Sequence, residues 1–140
     1  MSFLAILIAT LLGIISGIFT GITPGLHVNL ISLLVVSFSS WLLQITSPIV
    51  LGVYIISLAI THTFLDTLPS IYLGAPDEAQ ALNVLPGHRL LQKGLGHQAI
   101  TYTLIGSFGS LLLSIILFPV FVLSMKVIAP VIEAWIGWLL

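Results

Sequence analysis

Cysteine is absent from the 140 residues of the sequence, and charged side chains are almost absent. Without thiols there are no disulfides, Cys-ligated zinc sites, iron–sulfur clusters or thiol nucleophiles. Three Lys or Arg and four Asp or Glu make up 5% of the residues, whereas an ordinary soluble domain is about one quarter charged. Disordered chains are polar and charged, and three basic residues cannot neutralise a nucleic-acid backbone. These shortages exclude soluble, disordered and nucleic-acid-binding proteins.

Enzyme signatures are missing too. The sequence contains no His-Glu-x-x-His, no Gly-x-Ser-x-Gly and no phosphate-binding Gly-x-x-x-x-Gly-Lys. Its four histidines do not have metal-ligand spacing, and two ligands such as His62 and Asp66 are too few for a zinc site. We therefore predict that the protein is not an enzyme and has neither a metal nor a cofactor.

Apolar residues are abundant, at 59% of the chain, and the first charged side chain is Asp66. The apolar start at Met1-Ser2-Phe3 has no basic residue and does not stop, so we expect no cleavable signal. A helix that crosses a bilayer needs about 20 such residues. The composition predicts an all-α, multi-pass protein of the cell membrane. Its four expected spans are residues 3–22, 26–43, 48–68 and 98–125.

Proline and glycine concentrate between the third and fourth spans, in residues 69–97. We expect two short helices there, one from Pro76 to about Leu85 and one from about His88 to Lys93, lying on or dipping into the membrane as a re-entrant segment. The tail, residues 127–140, is too short to span by itself, and its tryptophans favour an interfacial position or a truncated span. The whole chain is expected to form one transmembrane domain.

Four glycines, Gly13, Gly17, Gly21 and Gly25, follow one another at intervals of four residues. In a helix they lie on one face, where the missing side chains let another backbone approach closely. We interpret this face as a helix-packing surface.

The segment from Thr23 to Asn29 contains a proline–glycine step. Threonine is a good N-cap and proline a good first helical residue, so the pattern predicts a helix that restarts at Thr23-Pro24. The free N–H groups would belong to Gly25, Leu26 and His27. Within the membrane such a break would bind an anion, whereas at the surface the same residues would form a plain hairpin turn. Asn29 would add a side-chain donor.

His62 and Asp66 are four residues apart and therefore share a helix face. Histidine titrates near neutrality, and an ionisable group within the membrane is a functional candidate by default. We predict that this pair takes up a coupling proton or sodium ion. Asp77 and Glu78 either mark a helix start or add to a cation site.

A second proline–glycine step, at Pro86-Gly87, is followed by His88 and Arg89 and echoes the Pro24-Gly25 step. The repetition hints at two paired helix breaks. Arg89 is the sole arginine of the sequence and so its best side-chain ligand for an anion. These four residues are predicted to help bind the substrate.

The sequence resembles the membrane permeases of tripartite tricarboxylate transporters, and the likeness is nearest to their archaeal-type branch. It covers most of residues 13–97. The motifs that carry it are Thr-Pro-Gly-Leu-His-Val-Asn at 23–29, Thr-His-Thr-Phe-Leu-Asp-Thr-Leu-Pro-Ser at 61–70, Leu-Gly-Ala-Pro-Asp-Glu at 73–78 and Leu-Pro-Gly-His-Arg-Leu-Leu at 85–91.

The resemblance implies a carrier of organic anions, typically carboxylates, driven by an ion gradient. Family members are much longer, and this chain resembles their first part. We expect either a fragment of such a carrier or a half-transporter that works as an inverted homodimer or with a second membrane subunit, in contact with membrane lipids. A translocase of polyprenyl phosphates and a non-transporting membrane scaffold remain alternatives, since a lipid phosphate is also an anion and glycine faces also serve assembly.

Overall fold

The structure is a computed structural model that describes residues 2–75 and 81–139. This described part contains seven α-helices and no strand, so the predicted all-α class is confirmed. The helices are α1 (Phe3–Ile22), α2 (Val28–Ser37), α3 (Ser39–Leu42), α4 (Pro48–Leu65), α5 (Thr67–Tyr72), α6 (Ala81–Gln92) and α7 (Gly96–Leu139).

Three stretches of helix are long and apolar enough to cross a membrane: Phe3–Ile22, Pro48–Tyr72 and Gly96–Gly137. In the chain, the shorter apolar helix Val28–Ser37 lies between the first two of these stretches. The chain is therefore an integral membrane protein, as its composition predicts.

Helices α1 and α4 pack side by side and run in the same direction. A methyl group placed at Gly13, Gly17 or Gly21 would lie 2.7, 2.7 and 2.9 Å from the Cβ atoms of Ser57, Thr61 and Leu65. Each glycine thus faces the residue 44 positions further along the chain. Because residue numbers rise together on both helices, α1 and α4 are parallel.

Parallel neighbours require the chain to return between them, and α2 and α3 make that return. At 1.5 Å per residue, the end of α1 and the start of α4 are about 27 Å apart along the pair. The returning segment is not one continuous helix over residues 26–43, because α2 ends at Ser37 and α3 begins at Ser39. Serine is a modest helix former, and the Ser37 hydroxyl donates to the Leu33 carbonyl, a contact that bends helices.

A second interruption separates α4 from α5 at Asp66. In a continuous helix the carbonyl of Leu65 would accept the N–H of residue 69. Residue 69 is a proline, which has no N–H and whose ring clashes with the carbonyl four residues earlier. The expected span 48–68 is therefore two helices, Pro48–Leu65 and Thr67–Tyr72.

Helix α6 differs from the two short helices expected in the polar segment. It is a single helix from Ala81 to Gln92, with Pro86 inside it. Proline there costs one hydrogen bond in a short helix, and the buried Gly87 brings α6 against the side chain of Ile71. The helix ends as predicted before Gly94, which has a φ of +76°. Two hydrogen bonds, Gly94 N–H to Leu91 and Leu95 N–H to Leu90, close a Schellman motif.

The chain divides into two compact units, Met1–Leu104 and Ile105–Leu140, and α7 begins in the first. In the first unit Ile71, Ala99 and Ile100 form a buried apolar cluster. In the second, the helix continues through Pro119 and Pro130 to Leu139 instead of ending near residue 125. Proline lacks one N–H but keeps a helical φ, and apolar helices tolerate it.

Candidate functional site

A cluster of buried polar side chains lies where the ends of α1 and α4 meet α5. Its members are between 0% and 6% exposed, while most apolar side chains of α1 face outward. Buried polar groups are costly unless they are paired, so a concentration of them marks a functional candidate. The polar cluster consists of Thr20, His62, Asp66, Thr67 and Ser70.

Thr20 and His62 connect the two parallel helices. The Oγ1 atom of Thr20 lies 3.0 Å from Nδ1 of His62. The same hydroxyl lies 3.4 Å from the carbonyl oxygen of Gly17, to which it donates. The short distance between the helices, set by Gly17 and Gly21, brings the threonine within reach of the imidazole.

Asp66 lies at the interruption between α4 and α5, with its side chain 6% exposed. The Ser70 hydroxyl donates to the main-chain carbonyl of Asp66 over 2.7 Å. Thr67 is 1% exposed, and its Oγ1 atom has no hydrogen-bond partner. By helical spacing Ser70 neighbours both Asp66 and Thr67, so a carboxylate and two hydroxyls share one buried surface.

The polar cluster lies toward the C-terminal ends of α1 and α4. Asp66 follows 18 residues of α4, or about 27 Å of helix. The hydrocarbon core of a bilayer is about 30 Å thick. For a bilayer core that begins at the start of α4, Asp66 would stand near the opposite edge of that core.

The Thr23–Leu26 segment is a β-turn, and the predicted helix start at Thr23-Pro24 is wrong. The Leu26 N–H donates to the Thr23 carbonyl over 3.3 Å, and Gly25 has a φ of +86°. Proline at the second position and a positive-φ glycine at the third define a type II turn. The hydroxyl of Thr23 donates back to Phe19 of α1, so it does not cap the next helix.

Helix α2 begins instead at Val28, with His27 as its N-cap residue. The N–H of Leu26 is used in the turn, so it is not one of the free donors expected there. Pro24, Gly25, His27 and Asn29 are exposed. Gly25 follows α1, and a methyl group there would meet nothing within 4 Å, so it does not extend the packing surface of the other three glycines.

The Pro86–Arg89 segment lies within α6 and is not a second helix break. His88 is half-buried, with its ring against Gly74, and its Nδ1 atom is buried without a hydrogen-bond partner. Arg89 is exposed. The two proline–glycine steps therefore have different conformations, a turn and a helix interior.

Asp77 and Glu78 lie outside the described residues. Within residues 2–75 and 81–139, no three His, Asp or Glu side chains come together as metal ligands.

Comparison with known proteins gives the family. Residues 7–140 match the tripartite tricarboxylate transporter TctA family. The chain belongs to this family. The match covers nearly the whole chain and so extends beyond residues 13–97, over which the sequence motifs resemble it. The name of the family describes a transporter and not an enzyme.

One relative is an uncharacterized protein of Methanocaldococcus jannaschii, 39% identical over 64 residues. The aligned part is 46% of this chain and 16% of the relative. The relative is archaeal, in keeping with the archaeal-type resemblance of the sequence. No solved structure matches the chain.

Nothing in the sequence patterns of this TctA-family chain predicts a functional role for Thr20 or Thr67 by itself. For Thr20 a signal exists, since it follows Gly17 by three residues and so lies on the glycine face of α1. For Thr67 the sequence offers only its position beside Asp66. Its burial depends on how α5 packs.

Proposed function

We propose that the chain forms part of a secondary transporter for an organic anion, a carboxylate, driven by a proton or sodium gradient. The observation that carries this proposal is the polar cluster: a histidine and an acid buried together between helices of a membrane protein. Family membership supports transport of a tricarboxylate.

Asp66 and His62 are proposed to take up the coupling ion. A buried carboxylate is expensive in its charged form unless a positive charge accompanies it. Uptake of a proton or a cation from the nearby edge of the membrane therefore stabilises the pair. Its release on the other side would let a gradient drive a cycle.

The anion would bind at the first turn of α2 and near Arg89. His27 and Asn29 are exposed beside the start of this 10-residue helix, whose N-terminal dipole attracts negative charge. Arg89 would supply a planar, permanently charged ligand for a carboxylate. The turn formed by Thr23 to Leu26 would hold the first turn of α2 in place, and Pro86, Gly87 and His88 would position Arg89.

An inverted homodimer, or a second membrane subunit, is proposed to complete the transporter. Carriers commonly consist of two repeats of opposite orientation, and here α1, the α2–α3 return and α4 supply one set of crossings. The few charged residues of the chain give it only a weak preference for one orientation.

A second candidate function, translocation of a lipid phosphate, is favoured by one observation. An apolar groove of about 440 Å³ lies between α1, the α2–α3 return and α4. Its lining includes Ala9, Leu12, Val35, Leu42 and Val50. Such walls suit an acyl or polyprenyl chain, whereas a citrate-like anion would need polar ligands.

The test is solute uptake by vesicles that contain the purified full chain, with citrate as the probe and an imposed proton or sodium gradient. We expect Asp66→Asn to reduce gradient-driven uptake at least tenfold, because the neutral amide cannot take up a proton and lacks the negative charge that attracts a sodium ion. Glu133→Gln, which neutralises an exposed acid on α7, is the matched control. Wild-type uptake by Asp66→Asn would refute the coupling role.

A thermal-shift screen separates the two candidate substrates. Citrate, inorganic phosphate and a polyprenyl phosphate are added in turn to the purified chain. A ligand at 100 times its Kd stabilises the folded state by about 2.7 kcal/mol. Stabilisation by the polyprenyl phosphate alone would favour the lipid translocase. Stabilisation by none of the three would favour a scaffold.

A further inference from the structure

The interruption between α4 and α5 leaves the Thr67 hydroxyl without the partner that a helical threonine commonly has. Elsewhere in this chain such a hydroxyl donates to the carbonyl four residues earlier, as Thr10 does to Ile6 and Thr103 to Ala99. For Thr67 that carbonyl lies in α4, before the break at Asp66. Thr67 is only 1% exposed, and its Oγ1 atom has no hydrogen-bond partner. A buried hydroxyl in this state costs free energy, which a bound ligand would recover.

The same interruption deprives a main-chain acceptor of its helical donor. In a continuous helix the Leu65 carbonyl would accept the N–H of residue 69, and that residue is a proline. This carbonyl belongs to the C-terminal end of α4, where the helix dipole places partial negative charge. In membrane transporters, carbonyls at the ends of interrupted helices coordinate sodium ions. The break therefore offers a cation both an oxygen ligand and a favourable potential.

Asp66, Thr67 and Ser70 lie on one side of the turn that follows the break. The N–H and the hydroxyl of Ser70 both donate to the Asp66 carbonyl, over 3.1 and 2.7 Å. Residues 66–70 therefore form one helical turn, in which positions 66 and 67 both neighbour position 70. All three side chains are buried, and α5 packs against α1, α4 and α6. Their oxygen atoms are thus gathered at one buried surface.

The ligands of this turn are oxygens, which suit a hard cation. The Ser70 hydroxyl keeps its lone pairs when it donates its proton, and the Asp66 carboxylate has about four lone-pair positions. The carboxylate can therefore bind a cation in addition to accepting a hydrogen bond. One carboxylate balances one positive charge, so a monovalent ion would leave no net charge at this buried surface. A divalent ion would leave an uncompensated charge, which is costly away from water.

We infer that the break between α4 and α5 is a sodium-binding site. Its ligands are the main-chain carbonyl of Leu65, the carboxylate of Asp66 and the hydroxyls of Thr67 and Ser70. A proton would need only one of these oxygens, whereas a sodium ion is coordinated by several, including the hydroxyl that otherwise has no partner. The inference selects sodium over the proton as the ion taken up at Asp66. The use of the site in transport rests on the proposed function, but binding of the ion does not.

The first experiment measures sodium binding through thermal unfolding of the purified full chain in detergent. Sodium chloride is compared with potassium chloride and choline chloride at equal ionic strength. A ligand that binds the folded state stabilises it, so we expect an unfolding temperature that rises with the sodium concentration and not with the other two salts. Equal stabilisation by all three salts would be an effect of ionic strength and would overturn the inference. An unfolding temperature that does not depend on the salt would overturn it as well.

Two variants of Thr67 test its part in the site. Thr67→Val keeps the shape but removes the oxygen, so we expect the sodium concentration needed for half of the effect to rise at least tenfold. Thr67→Ser keeps the oxygen and should respond like the wild type. A purely structural role predicts the reverse, because valine fills the space that serine leaves open. Thr10→Val, which removes a paired hydroxyl from α1, is the matched control and should keep the wild-type response. An unchanged sodium response in Thr67→Val would exclude Thr67 as a ligand.

Citrate uptake by vesicles separates this inference from the proposed function. We expect uptake with a sodium gradient alone, and at least a tenfold loss when choline replaces sodium and a proton gradient is imposed. A chain that sodium stabilises but that moves no citrate would refute the proposed function and leave the sodium site standing. Uptake driven by a proton gradient in choline, by a chain that sodium does not stabilise, would overturn the sodium site and leave the transporter standing. Stabilisation by sodium together with uptake driven only by protons would refute the use of the site in coupling.

Discussion

Gly17 lies so close to Leu58 that a methyl group at Gly17 would stand 2.7 Å from the Leu58 carbonyl oxygen. No real side chain occupies such a distance, so α1 and α4 can only approach this closely with glycine there. The contact also determines the chemistry of the site, because Thr20, three residues later on α1, meets His62 one turn after Leu58 on α4. Packing and the polar cluster are therefore coupled through this one pair of helices.

Replacement of Gly17 by alanine is expected to destabilise the protein by about 1–3 kcal/mol, the usual cost of overpacking. The added methyl group would meet backbone, which cannot rotate away, so the helices must separate and the Thr20–His62 contact must lengthen. Denaturant unfolding in detergent measures the change. Gly52→Ala is the matched control, since a methyl group there meets nothing within 4 Å and should leave stability unchanged or slightly raised. Equal behaviour of the two variants would contradict the packing of α1 on α4.

Thr67→Val should make the protein more stable by about 1 kcal/mol, because it removes a buried hydroxyl without a hydrogen-bond partner and keeps the shape of the side chain. Thermal unfolding in detergent checks the direction. Thr63→Val is the comparison, because Thr63 is exposed and its hydroxyl donates to the Ala59 carbonyl. A more stable Thr67→Val variant that no longer takes up citrate would place the hydroxyl in the transport pathway. A destabilised variant would contradict the unpaired state of the Thr67 hydroxyl.

Pro69→Ala is expected to join α4 and α5 into one helix. Alanine supplies the N–H that the Leu65 carbonyl lacks, which removes the reason for the interruption at Asp66. We expect slow hydrogen exchange at the new backbone amide of residue 69, measured by NMR.

Pro130→Ala, which also replaces a proline within a long helix, controls for a general effect of proline removal. Rapid exchange at the amide introduced by Pro69→Ala would show that tertiary packing, and not the proline, interrupts the helix.

Local sequence patterns predict those structural elements that depend only on residues close together in the chain. The helix end before Gly94 follows from the conformation that glycine tolerates, and the helical spacing of Gly13, Gly17 and Gly21 puts them on one face. The proline–glycine steps are harder, because the same two residues suit a helix start and a type II turn. In the first step, the hydrogen bond from Leu26 to Thr23 decides between them. In the second, the sequence predicts a break, but the fit of Gly87 against Ile71 keeps the step within a helix.

By itself the sequence determined that this is an all-helical membrane protein, since a chain with so few charges and such long apolar segments can bury its backbone polar groups in lipid only as helices. It also brought His62 and Asp66 onto one face, because four residues make about one turn. The tertiary structure alone decided that α1 and α4 are parallel, that Thr20 meets His62, and that Thr67 and Ser70 are buried beside Asp66. Those partners lie on separate helices or depend on neighbours far along the chain, and helical periodicity carries no information about which helix lies opposite.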